Sequence, residues 1–503
     1  MTVTESAANP TIRDAPASDQ TNPFRAFGAV RKAAGSFHPR AMPAPIRRNY
    51  GRELAGTGFL SVGRAAFEGS VLAGVTRVAF DGVIADGPLN YAVAAFATVP
   101  AASNIINFVW TRIAHGVNKT RFIACTQVGM ALSIVGLALI PNTPAGIVGL
   151  ILCSLGAWVC WSGYIAVRST VWRANYARSL RARVAGKLST VQTLTIGSLA
   201  LVLGALMQDK LAELSPALSH ASLGVEPWDI YRGFLLVAAA GALVGTGLIS
   251  TIRIRQHKRL LVAERESSAD NTGPTLNPLG VIRLLFEDRR YGAYQVNQFL
   301  LGIGNLMMFP LIPIILRDRF HAGYFKVLLL ASALSMFVVP IAVPLWARLL
   351  DGVHIVRFRS FHSWVFVAVM TLLLVAVTTH TEWLLYVVAA LKGVAFAGGM
   401  LAWQLGHHDF APASRASEYM GVHVTLTGVR GLIGPAASVS LYNYLGSIDG
   451  SLAPWSIALC LVLVLIGALG FTHMNRTMDL TPVDDRLPAD SKTRGPGPVS
   501  RAN

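Results

Sequence analysis

Runs of about twenty apolar residues recur along this chain, and few architectures accept them. The run from Leu89 to Val109 carries no charged side chain, and others like it follow to Pro454–Met474. A helix of that length spans a bilayer core with every backbone N–H and C=O satisfied inside the segment, which an open strand cannot do. Composition agrees with membrane burial. Of 503 residues only 14% are charged and 53% are hydrophobic, against about 25% charged in a soluble domain.

Twelve such segments are predicted to span. The first half holds 55–80, 89–109, 122–140, 145–167, 184–207 and 230–252. The second holds 291–316, 325–346, 360–378, 383–405, 419–445 and 454–474. The net charge of +17 would suit a nucleic-acid binder, but the Lys and Arg residues sit in short blocks between the apolar runs. The membrane orientation rule places them there. Loop 2–3 has Arg112, Lys119 and Arg121, and loop 8–9 has Arg348, Arg357 and Arg359. Loops 1–2, 3–4, 9–10 and 11–12 have no Lys or Arg, while loop 7–8 departs from the pattern with Arg317, Arg319 and Lys326. Both termini are therefore expected in the cytoplasm, in a bacterial inner membrane. Cys125, Cys153, Cys160 and Cys460 lie inside apolar runs and read as small buried residues.

A phrase recurs. "WTRIAHGVNKTRF" (Trp110–Phe122) returns as "WARLLDGVHIVRF" (Trp346–Phe358), offset by 346 − 110 = 236 residues. Each copy occupies the loop after the second segment of its half, on the basic side. The organisation predicted is two parallel six-helix repeats. Residues 1–51 are expected to form a disordered cytoplasmic tail, 52–252 one bundle, 253–290 a linker, 291–474 the second bundle and 475–503 another tail. Parallel repeats of this kind point to a transporter.

On these features the chain resembles the major facilitator superfamily (MFS), over about Arg52 to Met474. That family's loop motif sets an acid four residues after a Gly, then basic residues. Here Asp351 matches the acid, followed by Gly352, Arg357 and Arg359, with Ala347 at the Gly position and Arg348 beside it. In the first copy His115 replaces the acid and Thr111 the Gly, flanked by Arg112 and Gly116. "RARVAGKL" (Arg181–Leu188) and "YMGVHVTLTGVRGLIGP" (Tyr419–Pro435) resemble the family's starts of its fifth and eleventh helices. The resemblance implies an all-α fold, alternating access, a monomer and no cofactor. It also implies a small-molecule substrate and a proton gradient or facilitated diffusion.

Ionisable residues inside spans are costly and mark function. Lys392, mid-segment 10, is expected to face the cavity and to pair with an anionic substrate or a carboxylate, or else to brace a neighbouring helix. Glu68 in segment 1, with Arg64 one turn earlier, is the proton-coupling candidate; a static intrahelical pair is the alternative. Arg430, between Gly428 and Gly431, can clamp a carboxylate or phosphate, or brace carbonyls. Gln298 and Asn305 in segment 7 join them as substrate-binding candidates, Asn305 lying opposite Glu68 by the repeat offset. Trp158 and Trp161 suit packing more than a cavity wall. His407, His408 and Asp409 make a poor chelate, so no metal site is expected. No nucleophile constellation, phosphate loop or paired carboxylates of an enzyme appear. The reading is a transporter of a small organic solute, tilted towards an anionic or zwitterionic one. A non-transporting assembly partner and a lipid flippase are the rival readings.

Overall fold

A computed structural model describes residues 35–213, 219–269, 278–407, 409–411 and 416–480. Both expected tails, apart from residues 35–51 and 475–480, lie outside these residues, as do part of the linker and His408. The chain divides into two compact units, Met1–Gly51 and Arg52–Asn503. In the first, the His38 imidazole accepts from Arg40 N (3.1 Å) and caps a short 3-10 turn, Pro39–Ala41.

The α-helices of five or more residues are, in order, α1 (Ala44–Ala66), α2 (Gly69–Ala79), α3 (Asp86–Ile105), α4 (Asn107–Ala114), α5 (Lys119–Leu139) and α6 (Gly146–Asn175). Then come α7 (Arg178–Met207), α8 (Pro227–Ser250), α9 (His257–Ala269), α10 (Pro278–Glu287) and α11 (Arg289–Phe320). Last are α12 (Tyr324–Leu328), α13 (Leu334–Asp351), α14 (Ile355–Thr378), α15 (Glu382–Leu405), α16 (Ala416–Ile448) and α17 (Ser456–Thr477). Among the described residues ten helices are long and apolar enough to cross a membrane. Leu132, Val237 and Ile341 are 66%, 64% and 72% exposed. Such side chains facing outward suit lipid, not water.

Several boundaries differ from the sequence expectation. The first span breaks in two at Phe67–Glu68. The carbonyls freed there are used: Trp158 Nε1 donates to Phe67 O (3.1 Å) and the Tyr231 hydroxyl to Ala66 O (3.0 Å). That satisfies the backbone inside the bundle. The linker is partly helical, as α9 and α10. Leu329–Ala333, between α12 and α13, is a π-helical turn, a form often found at functional sites.

The repeated phrase folds the same way twice. Trp110 Nε1 donates to Val159 O (2.9 Å) and packs edge-on against Phe122 at 5.7 Å. Trp346 Nε1 donates to Val394 O (2.8 Å) and packs edge-on against Phe358 at 5.5 Å. Asn118 caps α5 by accepting from Thr120 N and Arg121 N, and His354, at 118 + 236, caps α14 by accepting from Val356 N. Thus the 236-residue offset is structural as well as textual.

Within the first half α5 packs on α6 and α8, and α3 on α2 and α6. Within the second, α11 packs on α16 and α17, α13 on α15, and α14 on α15 and α17. The halves meet through α3 against α16, α7 against α12 and α13, and α2 against α11. Small residues make the α3–α16 approach possible. A Cβ at Gly431 would lie 2.2 Å from the Ala101 Cβ, and one at Gly428 2.4 Å from Ile105 Cγ1.

Candidate functional site

Glu68 sits at the α1–α2 break, not inside a continuous helix. Its carboxylate turns back to Arg64 Nη2 (2.7 Å), with side chains 17% and 7% exposed. Arg64 lies over the Trp158 ring at 3.8 Å, and Trp161 is 5.8 Å away. Trp158 therefore packs the cation and holds a backbone carbonyl as well. This half holds a further buried carboxylate. Glu53, 3% exposed, accepts from the Tyr176 hydroxyl (2.6 Å) and from Trp172 Nε1, and Arg168 Nε is 3.6 Å away. Sequence reasoning missed it because α1 starts well before Ala55, where the span was expected to begin. The available signal was a lone Glu two residues before that start.

Lys392 is 2% exposed. Its ammonium donates to Ala331 O (2.8 Å) and Leu330 O (3.4 Å), both within the π-helical turn. A π turn shifts the backbone register and leaves carbonyls that a lysine can take. In this conformation Lys392 thus ties α15 to the start of segment 8.

Arg430 and Gln298 are brought together. Arg430 Nη1 donates to Gln298 O (2.7 Å) and Nη2 to Thr427 Oγ1 (3.0 Å). The guanidinium lies flush on Gly302, where a Cβ would sit 2.3 Å from Nη1. The Gln298 and Asn305 side-chain oxygens accept no hydrogen bond from the described residues. No hydrogen bond or ion pair among them joins Asn305 to Glu68. Arg359, named at first only as a basic residue of the loop motif, is 2% exposed inside the bundle and donates to His362 Nδ1 (3.2 Å). His362 Nε2 donates in turn to Ala395 O (2.8 Å). An imidazole that accepts at one nitrogen and donates at the other is neutral.

The two loop motifs diverge. Arg348, Asp351, Gly352 and Arg357 are exposed, and no ion pair among the described residues holds them. In the first copy Arg112 is exposed and His115 ends α4, while Gly116 takes φ +70°. The acid missing there is supplied from α9. Glu264 accepts from Lys119 Nζ (2.6 Å) and Gly116 N (2.8 Å). His257 accepts from Lys119 N (3.4 Å), and burial, then the Lys119 ammonium, hold its pKa below 6.5 against the pull of Glu264. Asp409 accepts from Ile355 N (2.6 Å) at the start of α14.

On the opposite face the halves are locked by charge. Arg77, at the end of α2, reaches Asp81 (3.1 Å), Asp86 (2.9 Å) and, across the halves, Asp318. Arg317 returns to Asp81 (2.5 Å), and the Tyr442 hydroxyl donates to Asp318 (2.9 Å). Burial pushes the Asp81 carboxyl up, but Arg317 and Arg77 outweigh it and hold the pKa below 3.8. Asn90 Nδ2 donates to Asn443 Oδ1 (2.9 Å), closing α3 on α16 at the same level. The Arg317 and Arg319 of loop 7–8, which broke the sequence-level charge pattern, belong to this face.

The family model that matches the chain is the Major Facilitator Superfamily, over residues 89–435. The chain belongs to that superfamily. Solved structures with the same fold include a D-xylose–proton symporter, at 12% identity and TM-score 0.64, covering 87% of this chain and 98% of that one. They also include a bacterial homologue of the human lysosomal transporter Spinster, inward-facing and unoccupied, at 15% identity and TM-score 0.59, covering 87% and 98%. The nucleoside transporter NupG aligns at 14% identity and TM-score 0.58, covering 84% and 99%. These likenesses show the fold. No curated protein matches the chain by sequence. As an MFS protein it is a multi-pass membrane protein of the transporter fold.

Proposed function

We propose that this MFS protein carries a small organic solute across the membrane by alternating access, coupled to protons. The observation that carries the reading is the charged seal on one face: Arg77 with Asp318 and Arg317 with Asp81 join the two halves at that end alone among the described ion pairs. A two-sided gate needs contacts that exist in one conformer and are surrendered in the other. The basic face, with loops 2–3 and 8–9, is assigned to the cytoplasm by its positive charge, so the sealed end faces outward. Lys392, Arg430, Gln298 and Asn305 are the proposed solute ligands. Glu68 with Arg64 is the proposed proton relay: protonating the carboxylate frees the guanidinium from its partner, which changes the charge that the bundle presents. The proton symporter among the fold relatives supports coupling as a reading.

The test places cysteines at Asn90 and Asn443 in a background lacking the four native cysteines. Alternation predicts that disulfide formation falls when a transported solute or a pH gradient is supplied. Cross-linking indifferent to every solute and gradient would refute the proposal in favour of a static assembly protein.

A further inference from the structure

The two bundles balance charge differently. In the first, Arg64 meets Glu68, Arg77 meets three aspartates and the half-buried Arg168 faces Glu53. In the second, Arg359 and Arg430 are 2% and 5% exposed and form no ion pair among the described residues. Their partners are neutral: His362 for Arg359, and the Gln298 carbonyl and Thr427 hydroxyl for Arg430. The Nε–H of each guanidinium has no acceptor among the described residues. The described acids of that half are engaged elsewhere or exposed. Asp318 serves Arg77, Glu382 serves Lys326 (2.5 Å), Asp288 caps Tyr291 N, Asp409 caps Ile355 N, Asp449 accepts from Ser451 N, and Asp351 faces solvent.

Tyr294 stands within electrostatic reach of both guanidiniums, which also act on one another. Two neighbouring cations with no counter-ion among the described residues, deep in a bundle, cost several kcal/mol. An arrangement that costly persists when something outside the chain brings the negative charge. The Nε edge of a guanidinium is the side that grips a carboxylate or phosphate with two parallel bonds, and here both Nε–H groups lack an acceptor among the described residues. A groove of about 500 Å³ at the basic face is lined by Leu284, Glu287, Asp288, Arg289, Arg290 and Tyr419. Tyr419 packs on Tyr291 at 4.6 Å, and Tyr291 stacks on Tyr294 at 6.2 Å. The groove therefore backs onto the aromatic layer to which Tyr294 belongs.

We infer that Arg359 and Arg430 together form the anion subsite of the solute, and that the solute is a small organic dianion, a phosphomonoester or a dicarboxylate. This rests on the transport reading above and narrows it. The neutral part of the solute then meets the free side-chain oxygen of Gln298.

The test is thermal unfolding of the purified full chain with glycerol 3-phosphate, succinate, glycerol and choline as probes. The native protein is stabilised by one or both dianions and not by glycerol or choline; which of the two acts separates the phosphate from the dicarboxylate source. Arg359→Gln and Arg430→Gln each weaken that binding roughly 30-fold or more, while Arg359→Lys and Arg430→Lys retain part of it. Without ligand the Gln variants unfold no earlier than the native chain, since each removes an uncompensated charge; a purely structural brace would make them unfold earlier in every buffer. The inference is overturned if neither dianion stabilises the native protein, if glycerol does so equally, or if the shift survives in both Gln variants. The Asn90/Asn443 cross-link keeps the two proposals apart: if it answers to a neutral solute while no dianion binds, transport stands and the anion class falls.

Discussion

Arg77→Gln tests the charged seal most directly. The Arg77 side chain is 2% exposed and touches three carboxylates. Asp86 is 73% exposed, so its share is about 0–1 kcal/mol. Asp318 is 22% exposed and belongs to the other half; stripped of Arg77 it keeps the Tyr442 hydroxyl. Removing one partner of a buried pair costs about 3–5 kcal/mol, and the partial exposure of Asp318 and Asp81 argues for the lower end, about 3 kcal/mol. That cost falls on the sealed conformer, because in the open one both groups are in water. At 1.4 kcal/mol per decade the equilibrium moves roughly 100-fold towards the open state. The readout is disulfide formation between cysteines at Asn90 and Asn443, where the side chains now meet at 2.9 Å. Arg77→Gln should slow it strongly, and Arg77→Lys should restore part. Through Asp81 acid should act in the same direction, whereas burial holds the Asp318 carboxyl above its ordinary value, so protonation there opposes opening. Asp81 has its pKa lowered by Arg317 and Arg77, so its contribution is complete above the ordinary carboxylate value and is lost as pH falls through the lowered one. Unchanged cross-linking in Arg77→Gln would refute the assignment of this cluster as a gate.

Glu68→Gln should leave Arg64 without its carboxylate and abolish the pH dependence of uptake into proteoliposomes; pH-driven uptake at the native level would remove Glu68 from coupling. Lys392→Met, which replaces a buried ammonium by an apolar chain of like length, should shift stability by no more than about 1 kcal/mol yet stop transport, and normal transport would assign Lys392 to the π turn alone. Gly302→Ala should destabilise by about 1–3 kcal/mol as its Cβ displaces the Arg430 guanidinium, whereas Gly421→Ala, with nothing within 4 Å, should not; denaturation curves decide. His257 has its pKa lowered by burial and Lys119, so the docking of α9 is full above about pH 6.5 and weakens below it as the undocked imidazole takes up protons. Hydrogen exchange in α9 should rise on acidification, and His257→Gln should flatten that response.

The sequence by itself determined the membrane-spanning helices, because burial of an apolar run and closure of its own backbone hydrogen bonds are local matters. It also determined the twofold plan: Trp110 and Trp346, or Asn118 and His354, do the same work at a fixed offset. Arg64 with Glu68 was legible too, one helical turn apart. What the tertiary structure decided was which charges meet. Arg77 finds Asp318 241 residues away, and Glu264 replaces the acid absent at His115 from 148 residues beyond Gly116. Arg359 looked like a loop residue until α14 was seen to begin at Ile355 and carry it inside. Lys392 and Arg430 are buried, and their partners are backbone carbonyls and a hydroxyl, which no residue pattern announces. Apolar burial is additive along the chain and can be read from it. Electrostatic pairing is decided by distances in a low-dielectric interior, and only the packed helices set those.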